Sequence, residues 1–129
     1  KMIKNQSEMG TLASTIKDLK DLKNENIVNV ITKKKLNEDQ FSEAEIFLRN
    51  ASNVDNIYNH IGIYCYSAAT LDRFVKLSQS QNEIKFRLEQ LRALDNNINI
   101  NVCLANNSPI GLDTKEDFIA IKKIMEYKV

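Results

Sequence analysis

The stretch Asn59-His60-Ile61-Gly62-Ile63-Tyr64-Cys65-Tyr66 decides how this chain is read. Its β-branched and aromatic side chains favour a strand. Side chains alternate across a strand, so His60, Gly62, Tyr64 and Tyr66 share one face, and Ile61, Ile63 and Cys65 share the other. The second face is wholly apolar and is expected to be buried. The first carries the only histidine of the chain and two phenols. Gly62 has no side chain to fill the space between His60 and Tyr64. A polar ligand lying there would meet an imidazole on one side and a phenol on the other. The plainer reading is an interior strand whose His and Tyr bond to neighbouring backbone.

Downstream of this strand, Ser67 can cap a helix from Ala68 to about Leu77, with Leu71, Phe74 and Val75 inward. Ser80 to Glu83 fits a capping box and opens a second, longer helix, where Ile84, Leu88, Leu91 and Leu94 follow the spacing of a buried stripe. Asn96-Asn97 can supply the left-handed residue that ends it. Ile98 to Leu104 reads as a strand, Asn106 to Pro109 as a turn, and Lys115 to Tyr127 as a closing helix with Phe118, Ile121 and Met125 inward.

Upstream, Lys1 to Glu8 reads as the end of a helix stopped by Gly10, and Thr11 to Ile16 as a short strand. Lys17 to Asn26 is a surface loop or short helix, Ile27 to Thr32 a clearer strand, and Lys33-Lys34-Lys35 a solvated turn. Phe41 to Arg49 reads as a strand with Ala44, Ile46 and Leu48 on one side and Glu45, Phe47 and Arg49 on the other. Asn50 to Asn59 suits a loop. Strands dominate early and interleave with helices late, which predicts an α/β or α+β layer structure with one main sheet flanked by helices.

The 129 residues are of single-domain size, and an apolar share of 43% argues against general disorder. A net charge of +1 with no basic stripe gives no case for nucleic-acid binding. No run is long enough to cross a bilayer, and no signal peptide opens the chain. Cys65 and Cys103 each sit in an apolar run, which predicts buried, reduced thiols in a cytoplasmic protein. Zinc-ligand spacings and a glycine-rich phosphate loop are both absent. The chain opens on Lys1 within a partial helical pattern, so it is expected to be part of a longer protein.

Two further places could do chemistry. Glu89 and Gln90 lie between the apolar anchors Leu88 and Leu91, with Lys85 before them and Arg92 after. The plain reading is a surface ion pair; the functional one is a pocket wall where a carboxylate and an amide meet a polyhydroxylated ligand. Asp113 precedes the closing helix. Either Asp113 with Glu116 or Thr114 with Asp117 makes a box-like cap, while the functional alternative for Asp113 is a magnesium ligand.

Taken in order, His60-Ile61-Gly62-Ile63-Tyr64-Cys65-Tyr66, Leu88-Glu89-Gln90-Leu91-Arg92-Ala93-Leu94 and Gly111-Leu112-Asp113-Thr114-Lys115-Glu116-Asp117-Phe118 resemble the C-terminal half of the 3-deoxy-manno-octulosonate cytidylyltransferases, the CMP-Kdo synthetases. Met9-Gly10-Thr11-Leu12-Ala13 resembles a strand past that family's midpoint. The resemblance implies a sandwich of the nucleotide-sugar-transferase kind, with a mixed sheet flanked by helices, and a homodimer. It implies transfer of a cytidylyl group from CTP to the sugar acid Kdo, giving CMP-Kdo and pyrophosphate for lipopolysaccharide synthesis, with magnesium present. Carried over by position, His60, Tyr64, Glu89 and Gln90 would contact the sugar and Asp113 would hold Mg2+. All of these groups are expected to border one cavity.

The sequence departs from the family at several points. Phe47-Leu48-Arg49 stands where the family has Phe-Ser-Arg followed by Ile-Pro, so Arg49 is a candidate anion contact on a weaker match. Lys115 replaces a proline and Asn97 a glycine. Residues 1–129 would then be the sugar-binding and dimer-forming half, without a nucleotide-binding half and inactive alone. A cytidylyltransferase for another acidic sugar, such as a sialic acid, and a non-catalytic interaction module are the competing expectations.

Overall fold

Runs rich in β-branched and aromatic residues pair into a mixed sheet in this computed structural model, which describes residues 6–107, 111–112 and 114–127. The strands are β1 (Met9–Ser14), β2 (Asn29–Thr32), β3 (Ser42–Leu48), β4 (Ile57–Tyr66) and β5 (Ile100–Leu104). β1 runs parallel to β5, and the remaining neighbours are antiparallel. The order β1-β4-β2-β3-β5 closes on itself as a small barrel, because Ser42 pairs with Val102 and Glu43 with Asn101. Gln6 to Glu8 is turn and bend rather than helix, and the rest of that expected helix end lies outside the described residues. The expected loop at Asn50 to Asn59 gives up its last three residues to β4.

Two irregularities in strand pairing change which side chains face inward. On β3, Ile31 pairs with Ile46 but Thr32 pairs with Ala44, leaving Glu45 extra. One inserted residue breaks the period-two alternation. Ala44 and Phe47 are therefore buried and Ile46 is exposed, which corrects the expected split of Ala44, Ile46 and Leu48 from Phe47. On β4, Thr11 pairs with Tyr64 while Leu12 pairs with Ile61, so Gly62 and Ile63 bulge out.

The face of Ile61, Ile63 and Cys65, expected to be buried, is buried only at Ile61; Ile63 is 60% exposed. β2 pairs with β4 only over Ile57–Asn59, so the bulge at Gly62 and Ile63 lies beyond the end of that pairing. Cys65 is exposed and Cys103 half-buried, both as free thiols, so the expected burial of Cys65 does not hold.

The main core lies on the opposite face of β4. It gathers Met9, Ala13, Val30, Phe47, Tyr58, Ile98, Ile100 and Val102 from the barrel region, with Phe74, Leu88 and Leu91 from the helices. Each large apolar side chain so buried contributes about 1.5–3 kcal/mol. A smaller cluster of Leu22, Ala51 and Ile57 sits beside a 3-10 turn, Leu19–Lys23, which Asp18 caps.

Ser67 caps α1 (Ala68–Val75) as expected, but Thr70 and Phe74 turn inward while Leu71 and Val75 are exposed. The expected long helix is broken into α2 (Gln81–Phe86) and α3 (Gln90–Asp95) by Arg87, which adopts φ 54°. A left-handed non-glycine residue costs roughly 1–2 kcal/mol, and the break leaves Ile84 exposed while Leu88 and Leu91 are buried. Asn97, at φ 57°, ends the helical run as predicted.

α4 (Lys115–Glu126) begins with the Thr114/Asp117 box, one of the two expected pairings; Asp113 of the other lies outside the described residues. Phe118 and Met125 are exposed and no described side chain of α4 is buried, which corrects the inward stripe expected there. Of the expected turn from Asn106 to Pro109, only its first half is among the described residues.

Candidate functional site

The β4 bulge places His60 against Thr11 of β1. His60 Nε2 is 2.9 Å from Thr11 Oγ1, and that hydroxyl is 2.8 Å from the Ile63 carbonyl and 3.1 Å from the Ile61 carbonyl. A hydroxyl has one proton to give. Where Thr11 donates to a bulge carbonyl it accepts from His60, and in that arrangement the ring proton sits on Nε2 and Nδ1 is an acceptor. Burial pushes the His60 pKa down to about 4, so the ring is neutral at pH 7. A Cβ built on Gly62 meets nothing within 4 Å, so the space expected beside His60 is open.

From His60 a row of rings crosses the inner face of the sheet. Phe47 packs edge-on to His60 at 5.0 Å, His60 lies 5.5 Å from Tyr64, Tyr64 6.2 Å from Tyr66, and Tyr66 5.8 Å from Phe74. The alternation along β4 produces this row, and the pairings Thr11–Tyr64 and Met9–Tyr66 seat its far half over β1. The Tyr64 hydroxyl is buried and has no hydrogen-bond partner among the described residues. Burial first, then Tyr66 and the charge of Glu89, push the Tyr64 pKa up and keep the phenol protonated. An unpaired buried hydroxyl costs about 1–3 kcal/mol.

Glu89 and Gln90 stand where α3 begins. Glu89 has a side chain 70% exposed and carries the charge felt by both Tyr64 and Tyr66, whereas Gln90 is only 8% exposed. The surface pairing expected around Glu89 differs in detail. Arg92 approaches Glu89 at 3.8 Å, but its strong partner is Glu83, and Lys85 lies over the Phe86 ring.

His60 also lines a cleft of about 720 Å3. His60, Gly62 and Arg49 line it, together with Lys17, Asp21 and Asn59. Arg49 Nη1 also donates to the Phe86 carbonyl at 3.1 Å. Gly111 and Thr114 border the same cleft, but Asp113 between them lies outside the described residues. Among the described residues no cluster of His, Cys, Asp or Glu is suited to hold a metal ion.

The expected residues thus fall in two adjoining places rather than one cavity: Arg49, His60 and Gly62 at the cleft, and Tyr64 and Glu89 along the ring row. Only His60 belongs to both. Thr11, Asn59, Lys17 and Asp21 were not singled out from the sequence. Thr11 becomes visible only through the bulge register, because its hydroxyl lies within hydrogen-bond distance of two carbonyls that a regular strand would keep apart. No helix among the described residues is long and apolar enough to cross a membrane.

Comparison with known proteins gives a consistent picture. A sequence model of the family described as Cytidylyltransferase matches residues 1–100. The chain is 38% identical to a 3-deoxy-manno-octulosonate cytidylyltransferase of Thermodesulfovibrio yellowstonii over 131 residues, covering 96% of this chain and 51% of that one. It is 35% identical to the protein of the same name from Bartonella tribocorum over 121 residues, covering 92% and 49%. A solved structure of CMP:2-keto-3-deoxy-manno-octonic acid synthetase complexed with CTP shares the fold, with a TM-score of 0.83 at 22% identity over 99% of this chain and 53% of that one. The chain spans about half the length of the curated relatives it matches.

Proposed function

The chain belongs to the cytidylyltransferase family, and from that premise we propose that it supplies the sugar-acid-binding half of an enzyme that transfers a cytidylyl group from CTP to Kdo. A hydroxyl oxygen of the sugar gives up its proton to solvent and forms a bond to the α-phosphorus as the bond to pyrophosphate breaks. The observation that carries the reading is the Tyr64 hydroxyl, buried and without a protein partner among the described residues, on a ring 5.5 Å from the neutral His60 that also lines the cleft. A buried donor without a partner is costly, and a ligand hydroxyl would satisfy it.

Each residue then has a role set by its chemistry. His60 accepts a sugar hydroxyl at Nδ1, and Tyr64 donates from its phenol. Glu89 accepts from hydroxyls, and Gln90 offers both a donor and an acceptor. Arg49, at the cleft, pairs with an anionic group of the ligand. Asp113 would hold Mg2+, which would neutralise charge on the transferring phosphate; a single carboxylate suffices where substrate phosphates and water supply the other ligands. The free cysteines suit a reducing cytoplasm. The reading extends to a homodimer on the family resemblance alone.

Calorimetric titration of Kdo into the chain, with Mg2+ and CTP present, tests this. Kdo should bind, and Tyr64→Phe should weaken it about tenfold without lowering the melting temperature, since the lost hydroxyl has no protein partner. Tighter binding of N-acetylneuraminate than of Kdo would transfer the assignment to a sialic acid. Equal affinity for Kdo and a neutral hexose would overturn it.

A further inference from the structure

Glu83 and Arg92 stand outside the set of sugar contacts, yet they form the tightest polar contact near it. Arg92 Nε and Nη2 donate to the two Glu83 oxygens at 2.8 and 2.6 Å, with side chains only 14% and 6% exposed. Glu83 is saturated: it also accepts from the Ser80 backbone N–H at 3.1 Å and from Gln79 Nε2 at 3.3 Å. Arg92 is held on a further side by the Phe74 ring, 5.2 Å from Cζ, at the end of the ring row. The left-handed Arg87 makes this meeting possible, because it turns α3 back so that residues nine apart in sequence face each other.

The contact from Arg92 to Glu89 is of a different kind. At 3.8 Å it is too long for a hydrogen bond, but close enough for a charge to be felt. Glu83 takes Nε–H and one Nη2–H, which fixes the guanidinium plane, and in that position Arg92 Nη2 stays 3.8 Å from Glu89 rather than closing on it. Glu89 is thereby attracted toward one position while its oxygens stay open.

We propose that Arg92, clamped by Glu83, is a positioning residue that holds the Glu89 carboxylate beside Tyr64 and Tyr66 without consuming it, so that Glu89 can receive the hydroxyls of a sugar acid. The inference rests on the reading of Glu89 as a sugar contact. With Glu83 neutralised, the fork is released and closes on Glu89, which then competes with the ligand.

The test compares Kdo affinity with thermal stability in Glu83→Gln, Arg92→Lys and the exchanged pair Glu83→Arg/Arg92→Glu. Glu83→Gln is expected to weaken Kdo binding about tenfold. Arg92→Lys, which keeps a charge but loses the fork, should weaken it less. The exchanged pair restores an ion pair and should recover part of the melting temperature. It also sets a carboxylate at position 92 against Glu89, so Kdo affinity should stay low. Recovery of both quantities in the exchanged pair, or unchanged affinity in all three variants, would mean that the pair only braces the fold. If the wild-type chain itself fails to bind Kdo, the reading of Glu89 falls first, and this inference falls with it.

Discussion

The two capping boxes of this chain are made from the same bonds and meet opposite fates. At α2, Ser80 Oγ accepts from the Glu83 N–H at 3.2 Å, and Glu83 accepts from the Ser80 N–H at 3.1 Å. At α4, Thr114 Oγ1 accepts from the Asp117 N–H at 3.1 Å, and Asp117 accepts from the Thr114 N–H at 2.9 Å. The first box opens an element whose Glu83 is buried and bound to Arg92, continuing through Leu88 and Leu91 into the main core. The second opens a helix with no buried side chain among the described residues. A cap decides where a helix begins, and tertiary packing decides what it contributes.

The sharpest way to break this comparison is to remove a phenylalanine from each side. Phe74 is buried between Tyr66 and Arg92, whereas Phe118 of α4 is more than half exposed. Phe74→Ala should cost about 3–5 kcal/mol in urea unfolding. Phe118→Ala should stay within about 0.5 kcal/mol. Equal losses would show that α4 belongs to the same cooperative core as α1 and α3.

The same contrast explains how much could be read from the sequence. The capping boxes, the left-handed Asn97 and the face shared by His60, Tyr64 and Tyr66 are local matters, decided by residues a few positions apart, and they were legible. The fate of Ile46 and Ile63 was not, because each depends on a bulge set by pairing with a strand distant in sequence. Arg87 and Phe118 mark the same boundary. The stripe from Ile84 to Leu94 has helical spacing, yet the Glu83–Arg92 pairing accompanies a break at Arg87. The stripe on α4 has helical spacing too, yet nothing described covers it. For the site, the residues on β4 were visible as a group, whereas the role of Thr11 and the strong partner of Arg92 required the fold.

Acid titration sharpens the comparison by asking where the packed side is vulnerable. A free histidine titrates near 6.5, and burial holds His60 at about 4. Between those values the unfolded chain binds a proton that the folded chain does not. The stability from the neutral ring is therefore full above pH 6.5 and is lost as pH falls toward 4, on the order of 3 kcal/mol in all. Glu83 acts lower. The Arg92 bonds hold it at about 2 against an ordinary 4.5, so its contribution is present above 4.5 and is lost as pH falls from there toward 2. Urea midpoints of the wild type and His60→Gln should converge as pH drops from 6.5 to 4. A difference that stays constant over that range would contradict a buried neutral imidazole.

The smallest effects come from the caps themselves, and they separate local from global stability. Losing a Ser or Thr N-cap costs about 1 kcal/mol of the helix it serves. Ser80→Ala should appear in full as a lower global stability, because α2 carries Glu83 to Arg92 and cannot fray without exposing that pair. Thr114→Ala should leave the melting temperature unchanged, because a helix that buries nothing can open without the core opening. Its loss should instead appear as faster amide hydrogen exchange confined to α4, about fivefold for 1 kcal/mol. If Thr114→Ala slows no amide and speeds none, but lowers the melting temperature as much as Ser80→Ala, then α4 is docked as firmly as α2, and the two boxes differ only in sequence.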